Sequence, residues 1–299
     1  MSAIATIVIP YAAYHKEHVA RAYASAQAQT VSCDVVTFFD STGRGAGWAR
    51  NVVALDTTSP SEIMTPFIVF LDADDTLEPT FVEACLKDYQ TGFYVYTNWH
   101  CLDVLHKPNI CVARGHEDEY HSHLVTTLYP TDIFRALGGF DESLPGHEDV
   151  DFYLRSAGAG ICGVHLDSPL VHYSEHGQRS EQFATRADHK AIMDSIFLRN
   201  GGQRTIMACC GGPGTPAPNN PGQQQAGDIL AQTLWAGMRT EYSVTTGRVY
   251  TGGNGSQIWV NPADIALVGT QGQTLFKPVV DLRALAPERE QVLRESGLV

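Results

Sequence analysis

The chain has 299 residues, 43% of them apolar, and a formal charge of −13. That length holds one large domain or a main domain with a small one, and that apolar share supports a sizeable core. The negative balance argues against general nucleic-acid binding and against a polybasic membrane surface, but not against an anionic substrate held by a few arginines and a metal.

Seven cysteines are scattered without a Cys-x-x-Cys pair, which reads as reduced thiols rather than a disulfide framework. No run approaches the ~18 apolar residues of a membrane span, and the N-terminus lacks a basic leader. The expectation is a soluble, cytoplasmic protein with no transmembrane segment.

Residues 3–9 are apolar and β-branched and predict a central strand ending at Pro10. Residues 15–29, rich in Ala and Gln, predict a helix, and Val35–Phe39 a second strand. Strand, helix and strand at this spacing predict a parallel βαβ unit. Gly43-Arg44-Gly45-Ala46-Gly47-Trp48-Ala49-Arg50-Asn51 follows. It lacks the Gly-Lys-Ser/Thr ending of a P-loop. Its arginines are suited to a diphosphate, and a solvated surface loop is the plainer alternative.

Phe67-Ile68-Val69-Phe70-Leu71-Asp72-Ala73-Asp74-Asp75 is the central stretch. Five apolar residues predict a strand buried on both faces, and three carboxylates stand where it emerges. Ligands of open α/β sheets bind at such strand ends. The clustered acids repel one another, and a divalent cation bound with a substrate diphosphate removes the conflict. The plainer reading is an acidic turn before a helix over residues 78–89. Residues 93–96 predict another strand, ending at Thr97-Asn98-Trp99-His100, where Trp99 could line an acceptor pocket or simply fill the core.

These segments resemble the inverting glycosyltransferases of family 2, which have the GT-A fold. Ile7-Val8-Ile9-Pro10-Tyr11 is similar to the family's first strand and turn. Phe39-Asp40-Ser41-Thr42 is similar to its Asp-Asp-Gly-Ser, with Phe39 and Ser41 departing from it. Ala49-Arg50-Asn51 and Leu71-Asp72-Ala73-Asp74-Asp75 resemble its Ala-Arg-Asn and Asp-x-Asp motifs.

A second group of matches follows an unpatterned stretch. That stretch holds one edge strand near Ile110 and a His- and acid-rich loop over residues 116–123. Residues 131–137 predict a helix closed by Gly138-Gly139. Gly138-Gly139-Phe140-Asp141-Glu142, then Glu148-Asp149-Val150-Asp151, resemble the family's Gly-Gly-Phe-Asp-Glu and Glu-Asp-x-Asp. Without the resemblance, Glu148, Asp149 and Asp151 merely suit a helix N-terminus. After a short strand over residues 161–166, Tyr173, His176 and Ser180 match a Tyr-x-x-His pattern with a later Ser. Residues 182–199 predict a closing helix. The resemblance covers roughly the first 200 residues.

The resemblance implies an α/β GT-A domain over residues 1–202, Rossmann-like, with a mixed, mostly parallel sheet flanked by helices. It implies transfer of a sugar from a nucleotide-sugar, UDP-linked by family frequency, to an acceptor hydroxyl with inversion. The acceptor is a glycan, lipid or protein, and the activity is of hexosyltransferase type with Mn²⁺ or Mg²⁺. Pro10, Tyr11, Asp40, Arg50, Asp72 and Ala73 then face the nucleotide-sugar. Asp74 and Asp72 hold metal, with His176 or His172 completing the site. Asp149 is the base with Glu148 second, and Trp99 and Asp151 lie on the acceptor side.

Val69–Leu77 also resembles the first motif of haloacid-dehalogenase-type phosphatases, Asp-x-Asp-x-Thr, with Asp72 as nucleophile and Asp74 as acid. That motif normally opens its domain, whereas two strands precede it here. A non-catalytic glycan-binding or assembly module is the third reading.

Residues 203–228, rich in Gly, Pro and Gln, predict a linker. Residues 229–299 predict a small, mostly β module with a helical end. Its strands are expected over 242–250, 257–260, 265–268 and 275–280. Its Trp259-Val260-Asn261-Pro262-Ala263-Asp264 pattern resembles small β modules of phage structural proteins. Such a module is small for a core of its own and could support a homo-oligomer.

Overall fold

A computed structural model describes residues 3–56, 63–89, 93–102, 107–113, 124–158, 161, 163–174 and 186–200. In the C-terminal part it describes five strands, over residues 229–233, 239–242, 249–252, 257–260 and 276–278. They belong to two compact units, one within Met1–Cys210 and one within Gly211–Asp281.

The first unit opens with the expected βαβ. β1 (Ala5–Tyr11) runs beside β2 (Cys33–Phe39) in parallel, with α1 (Val19–Gln27) between them in sequence. After α2 (Ala46–Ala54), β3 (Phe67–Phe70) pairs in parallel on the other side of β1. All four β3 residues are buried, as a strand covered on both faces requires. β4 (Thr76–Leu77) and α3 (Phe81–Lys87) come next. β5 (Tyr94–Leu102) and β6 (Pro108–Cys111) then form an antiparallel hairpin.

β7 (Leu128–Pro130) inserts antiparallel between β3 and β5, and α4 (Thr131–Ala136) follows directly. α5 (Glu148–Gly158), β8 (Gly163–His172) and α6 (Arg186–Arg199) complete the unit. The sheet order is β2-β1-β3-β7-β5-β8-β4, with β6 on the outside of β5. It is a mixed sheet whose two longest ladders, β1–β2 and β5–β8, are parallel, the α/β class expected from the sequence.

Alternation along the strands feeds two cores. Ile7, Ile9, Phe67, Val69 and Leu71 pack with Ala22, Ala26, Phe81 and Val82 of α1 and α3. Val8, Ile68 and Phe70 face the other way, toward Phe134, Phe152 and Ile196 of α4, α5 and α6. Burying both faces of β1 and β3 fixes where their ends emerge.

β4 and β7 had no counterpart in the sequence reading, because two or three residues are too short to show periodicity. The strands expected over 93–96 and 161–166 are longer than predicted. They run on through His100 and His172, which pair with each other across the parallel β5–β8 ladder.

The cysteine expectation is corrected. Cys101 and Cys111 form a disulfide, their Cα atoms 5.8 Å apart. They are ten residues apart in sequence, but the β5–β6 ladder brings them to diagonal positions, with Trp99 opposite Cys111 and Cys101 opposite Asn109. The thiol argument for a reducing compartment therefore falls. Cys33 and Cys85 are free thiols. No helix among the described residues is long and apolar enough to cross a membrane.

In the second unit β10 (Arg239–Tyr242) pairs with β11 (Val249–Gly252), so the single strand expected over 242–250 is a hairpin. β9 (Ile229–Thr233) is flanked by β12 (Gln257–Val260) and β13 (Phe276–Pro278). The 203–228 linker, the 116–123 loop, the 265–268 strand and the C-terminal helix lie outside the described residues.

Candidate active site

Because β1, β2 and β3 are parallel neighbours, Tyr11, Phe39 and Asp72 emerge on one side of the sheet. Pro10 is buried within β1. Tyr11 stands opposite Phe39, their ring centroids 5.2 Å apart, and the Lys16 ammonium lies 5.1 Å from the Phe39 ring.

Asp40 turns its carboxylate onto the following loop. Its Oδ1 accepts from the Thr42 amide at 2.9 Å, the Thr42 hydroxyl at 2.8 Å and the Gly43 amide at 2.8 Å. Its Oδ2 accepts from the Gly45 amide at 3.1 Å. Burial pushes the Asp40 pKa up, but these hydrogen bonds outweigh burial and hold it below its ordinary value. Gly43 and Gly45 take φ of 69° and 103°, which the close wrap around the carboxylate requires. Asp40 thus organises the loop that carries Arg44, whose guanidinium lies 4.5 Å from the Trp48 ring.

Arg50 lies at the centre of the site. Projecting from α2, it is only 3% exposed. Its Nη2 donates to Asp72 Oδ1 at 2.5 Å and its Nη1 to Glu148 Oε1 at 2.6 Å. Burial works against its charge, and Asp72 and Glu148 more than compensate. The sequence reading turned Arg50 toward a diphosphate; the structure buries it as a clamp between two carboxylates from distant segments. For Glu148 the largest influence is burial, which raises its pKa; Arg50 opposes, Asp149 and Asp72 add to the rise, and the net shift is upward.

The two family-like motifs are bonded to each other. Asn51 Nδ2 donates to the Phe140 carbonyl at 2.8 Å and to Glu142 Oε1 at 3.1 Å, and the Phe140 amide donates back to Asn51 Oδ1 at 2.9 Å. Gly139, with φ of 67°, makes room for this: a Cβ there would sit 2.4 Å from Asn51 Oδ1. Gly47 lets α2 approach α5, since a Cβ there would lie 3.3 Å from Glu148 Cγ.

The Asp72–Asp75 turn is held from beneath. Arg21 Nη2 donates to the Asp74 carbonyl at 2.7 Å and to the Ser174 hydroxyl at 3.2 Å. Asp75 is 2% exposed, and its Oδ1 accepts from the Ser174 amide at 2.8 Å. Burial, then Asp72, lift the Asp75 pKa well above its ordinary value, and Asp74 adds to the effect. These carboxylates are hard oxygen donors of the kind Mg²⁺ and Mn²⁺ take.

The remaining sequence candidates separate. Asp149 is on the first turn of α5, where its Oδ1 accepts from the Val150 amide at 2.9 Å. Asp151 is 4% exposed; its Oδ2 accepts from Arg155 at 2.8 Å and its Oδ1 from Asn200 at 3.1 Å. Asp151 therefore points toward Arg155 of α5 and Asn200 at the end of α6. The Ala73 side chain is buried in the α1–α3 core, and Trp99, half-buried, packs against both cores. His172 bonds through Nε2 to Glu78 Oε1 at 2.7 Å, while His176 lies outside the described residues.

Two residues escaped the sequence reading. Tyr14, 63% exposed, lies within the field of three carboxylates: burial, then Asp74, Asp72 and Asp40, raise its pKa. Its sequence signal was an aromatic residue just beyond the first strand. Arg21 carried no signal, because its partners lie 53 and 153 residues away.

No family model and no curated protein matches the chain. Among solved structures it is similar to residues 1–349 of TarS from S. aureus in complex with UDP-GlcNAc, at 16% identity and a TM-score of 0.46, over 65% of each chain. It spans 39% of a longer TarS chain. It is also similar to a mannosyltransferase from Pyrobaculum calidifontis in complex with GDP-Man and Mn²⁺, at 14% identity and a TM-score of 0.48, over 71% of this chain and 66% of that one. A third similarity is to a Drosophila β-1,4-galactosyltransferase 7 in complex with manganese, UDP-Gal and xylobiose, at 10% identity and a TM-score of 0.43, over 88% of this chain and 97% of that one.

Proposed function

We propose that the chain is a metal-dependent, inverting glycosyltransferase that moves a sugar from a nucleotide-sugar, UDP-linked as the first choice, to an acceptor hydroxyl. One observation carries the reading: Arg50 joins Asp72 at the end of β3 to Glu148 at the start of α5. This contact supports reading the strand-end acids and the later carboxylate pair as parts of one site, since neither an isolated acidic turn nor a solvated helix start requires it.

Inversion is a single in-line displacement. The acceptor oxygen bonds to the anomeric carbon, the bond from that carbon to the diphosphate oxygen breaks, and the acceptor proton passes to a carboxylate. Asp149 takes that proton. Glu148, hydrogen-bonded to Arg50, holds the start of α5 against the Asp72 turn. Tyr11 and Phe39 flank the nucleotide side. Asp74 and Asp72 would hold a divalent cation, whose positive charge would stabilise the departing diphosphate. Asp75, bonded to Ser174, keeps the turn in position.

The test is release of nucleoside diphosphate from a panel of nucleotide-sugars with Mn²⁺ and a panel of acceptors. Asp149→Asn is expected to lower kcat at least about 10²-fold, the usual contribution of a positioned base, with little change in KM for the donor. Asp74→Asn is expected to remove the metal dependence together with the activity. Turnover that persists in Asp149→Asn, or that does not respond to chelation, would sink the reading.

A further inference from the structure

We propose a second cation site, separate from the Asp72–Asp75 turn, formed by Glu78, His100 and His172 and suited to a zinc-class divalent metal. Each of the three offers one ligand atom, and these atoms lie within 4.8 Å of one another. The His172 and Glu78 side chains already touch, Nε2 to Oε1 at 2.7 Å. The His100 and His172 rings are stacked, centroids 4.4 Å apart and planes 14° apart, so both imidazoles present an edge to the same region.

The arrangement is built by the sheet rather than by loops. His100 and His172 are paired residues of the parallel β5–β8 ladder. Thr76 pairs with His172 across the antiparallel β4–β8 ladder, so Glu78, two residues on, leans from the same face toward it. The Glu78 amide is tied to the Leu170 carbonyl at 2.9 Å, and the Tyr173 amide to the His100 carbonyl at 2.9 Å. Leu77 and Val171 alternate to the other face and are buried. The backbone beneath all three ligands is therefore fixed by ladder hydrogen bonds, and side-chain rotation would bring the donors toward the about 2.0–2.2 Å of zinc ligation.

The donor set differs from the one at the Asp72–Asp75 turn. Two imidazoles and one carboxylate match catalytic-type zinc sites, which leave a fourth position for water or substrate. The acids of the turn are hard oxygen donors suited to Mg²⁺ or Mn²⁺. The His172 and Glu78 side chains are 48% and 37% exposed, so a cation has a path in from solvent. A metal here would tie β4, β5 and β8 together at the sheet edge that leads out of the Asp72–Asp75 turn.

The experiment titrates the full chain with Zn²⁺ against a chromophoric chelator and follows the thermal midpoint with and without Zn²⁺. Wild type and Asp74→Asn are expected to take up Zn²⁺ with equal affinity and to gain in thermal midpoint. Glu78→Gln and His172→Ala are expected to lose at least the about 10–100-fold in affinity that follows loss of an outer-shell partner, and with it the thermal gain. Glu78 lies on the surface, so Glu78→Gln tests the site even if His172→Ala fails to fold. Unchanged Zn²⁺ affinity in Glu78→Gln would overturn the proposal, leaving an ordinary His–Glu hydrogen bond. Loss of the same affinity in Asp74→Asn would also overturn it, by placing the ion at the turn.

Discussion

Arg50 is a buried cation whose removal would leave two carboxylates facing each other. Breaking a buried pair by deleting one partner costs about 3–5 kcal/mol, and the partial exposure of Asp72 places Arg50→Met near the lower end. Urea unfolding of the variant should show that loss, and Glu148→Gln in the same chain should restore part of it. Asp40 offers a pH test. Its folded pKa lies below the unfolded value, so its stabilisation is present above the ordinary carboxylate range and is lost as pH falls through the folded value. Asp40→Asn must leave at least one loop amide without a charged acceptor, at a cost of about 1–3 kcal/mol near neutrality. The gap between its urea midpoint and that of wild type should close on acidification; a gap independent of pH would mean the carboxylate charge does not hold the loop.

At the scale of elements, the site depends on α2 lying against the Gly138–Glu142 turn and α5. Gly138 and Gly139 both have positive φ, but their surroundings differ: a Cβ at Gly138 meets nothing within 4 Å, while one at Gly139 meets Asn51. Gly138→Ala should cost only the left-handed conformation, about 1–2 kcal/mol. Gly139→Ala should cost more, because it also displaces the Asn51 amide from Phe140. Comparing the two urea midpoints checks this; equal losses would mean that the Asn51–Phe140 pair contributes nothing measurable. The order of these elements was legible in the sequence where runs were long. Phe67–Leu71 is apolar without a break, and Glu148 to Arg155 has the acidic start and apolar face of a helix. β4 and β7 were not legible, since a strand of two or three residues has no pattern and exists only because neighbouring strands supply its hydrogen bonds.

At the scale of the whole molecule, the described residues fall in two units. The linker expected over residues 203–228 lies outside the described residues. The sequence by itself determined the α/β class of the first unit, the strand that ends in Asp72, and the carboxylates that open α5. These follow from runs of apolar residues and from local preferences, which act between near neighbours. Only the tertiary structure decided how these pieces meet. Arg50 finds Asp72 22 residues away and Glu148 98 residues away. Asp151 turns inward while Glu148, from the same acidic cluster, faces Arg50. Cys101 meets Cys111 because a hairpin aligns them, and His172 meets Glu78 and His100 because β8 lies between β4 and β5. Such partners are set by strand order and register, and no periodicity along the chain carries that information.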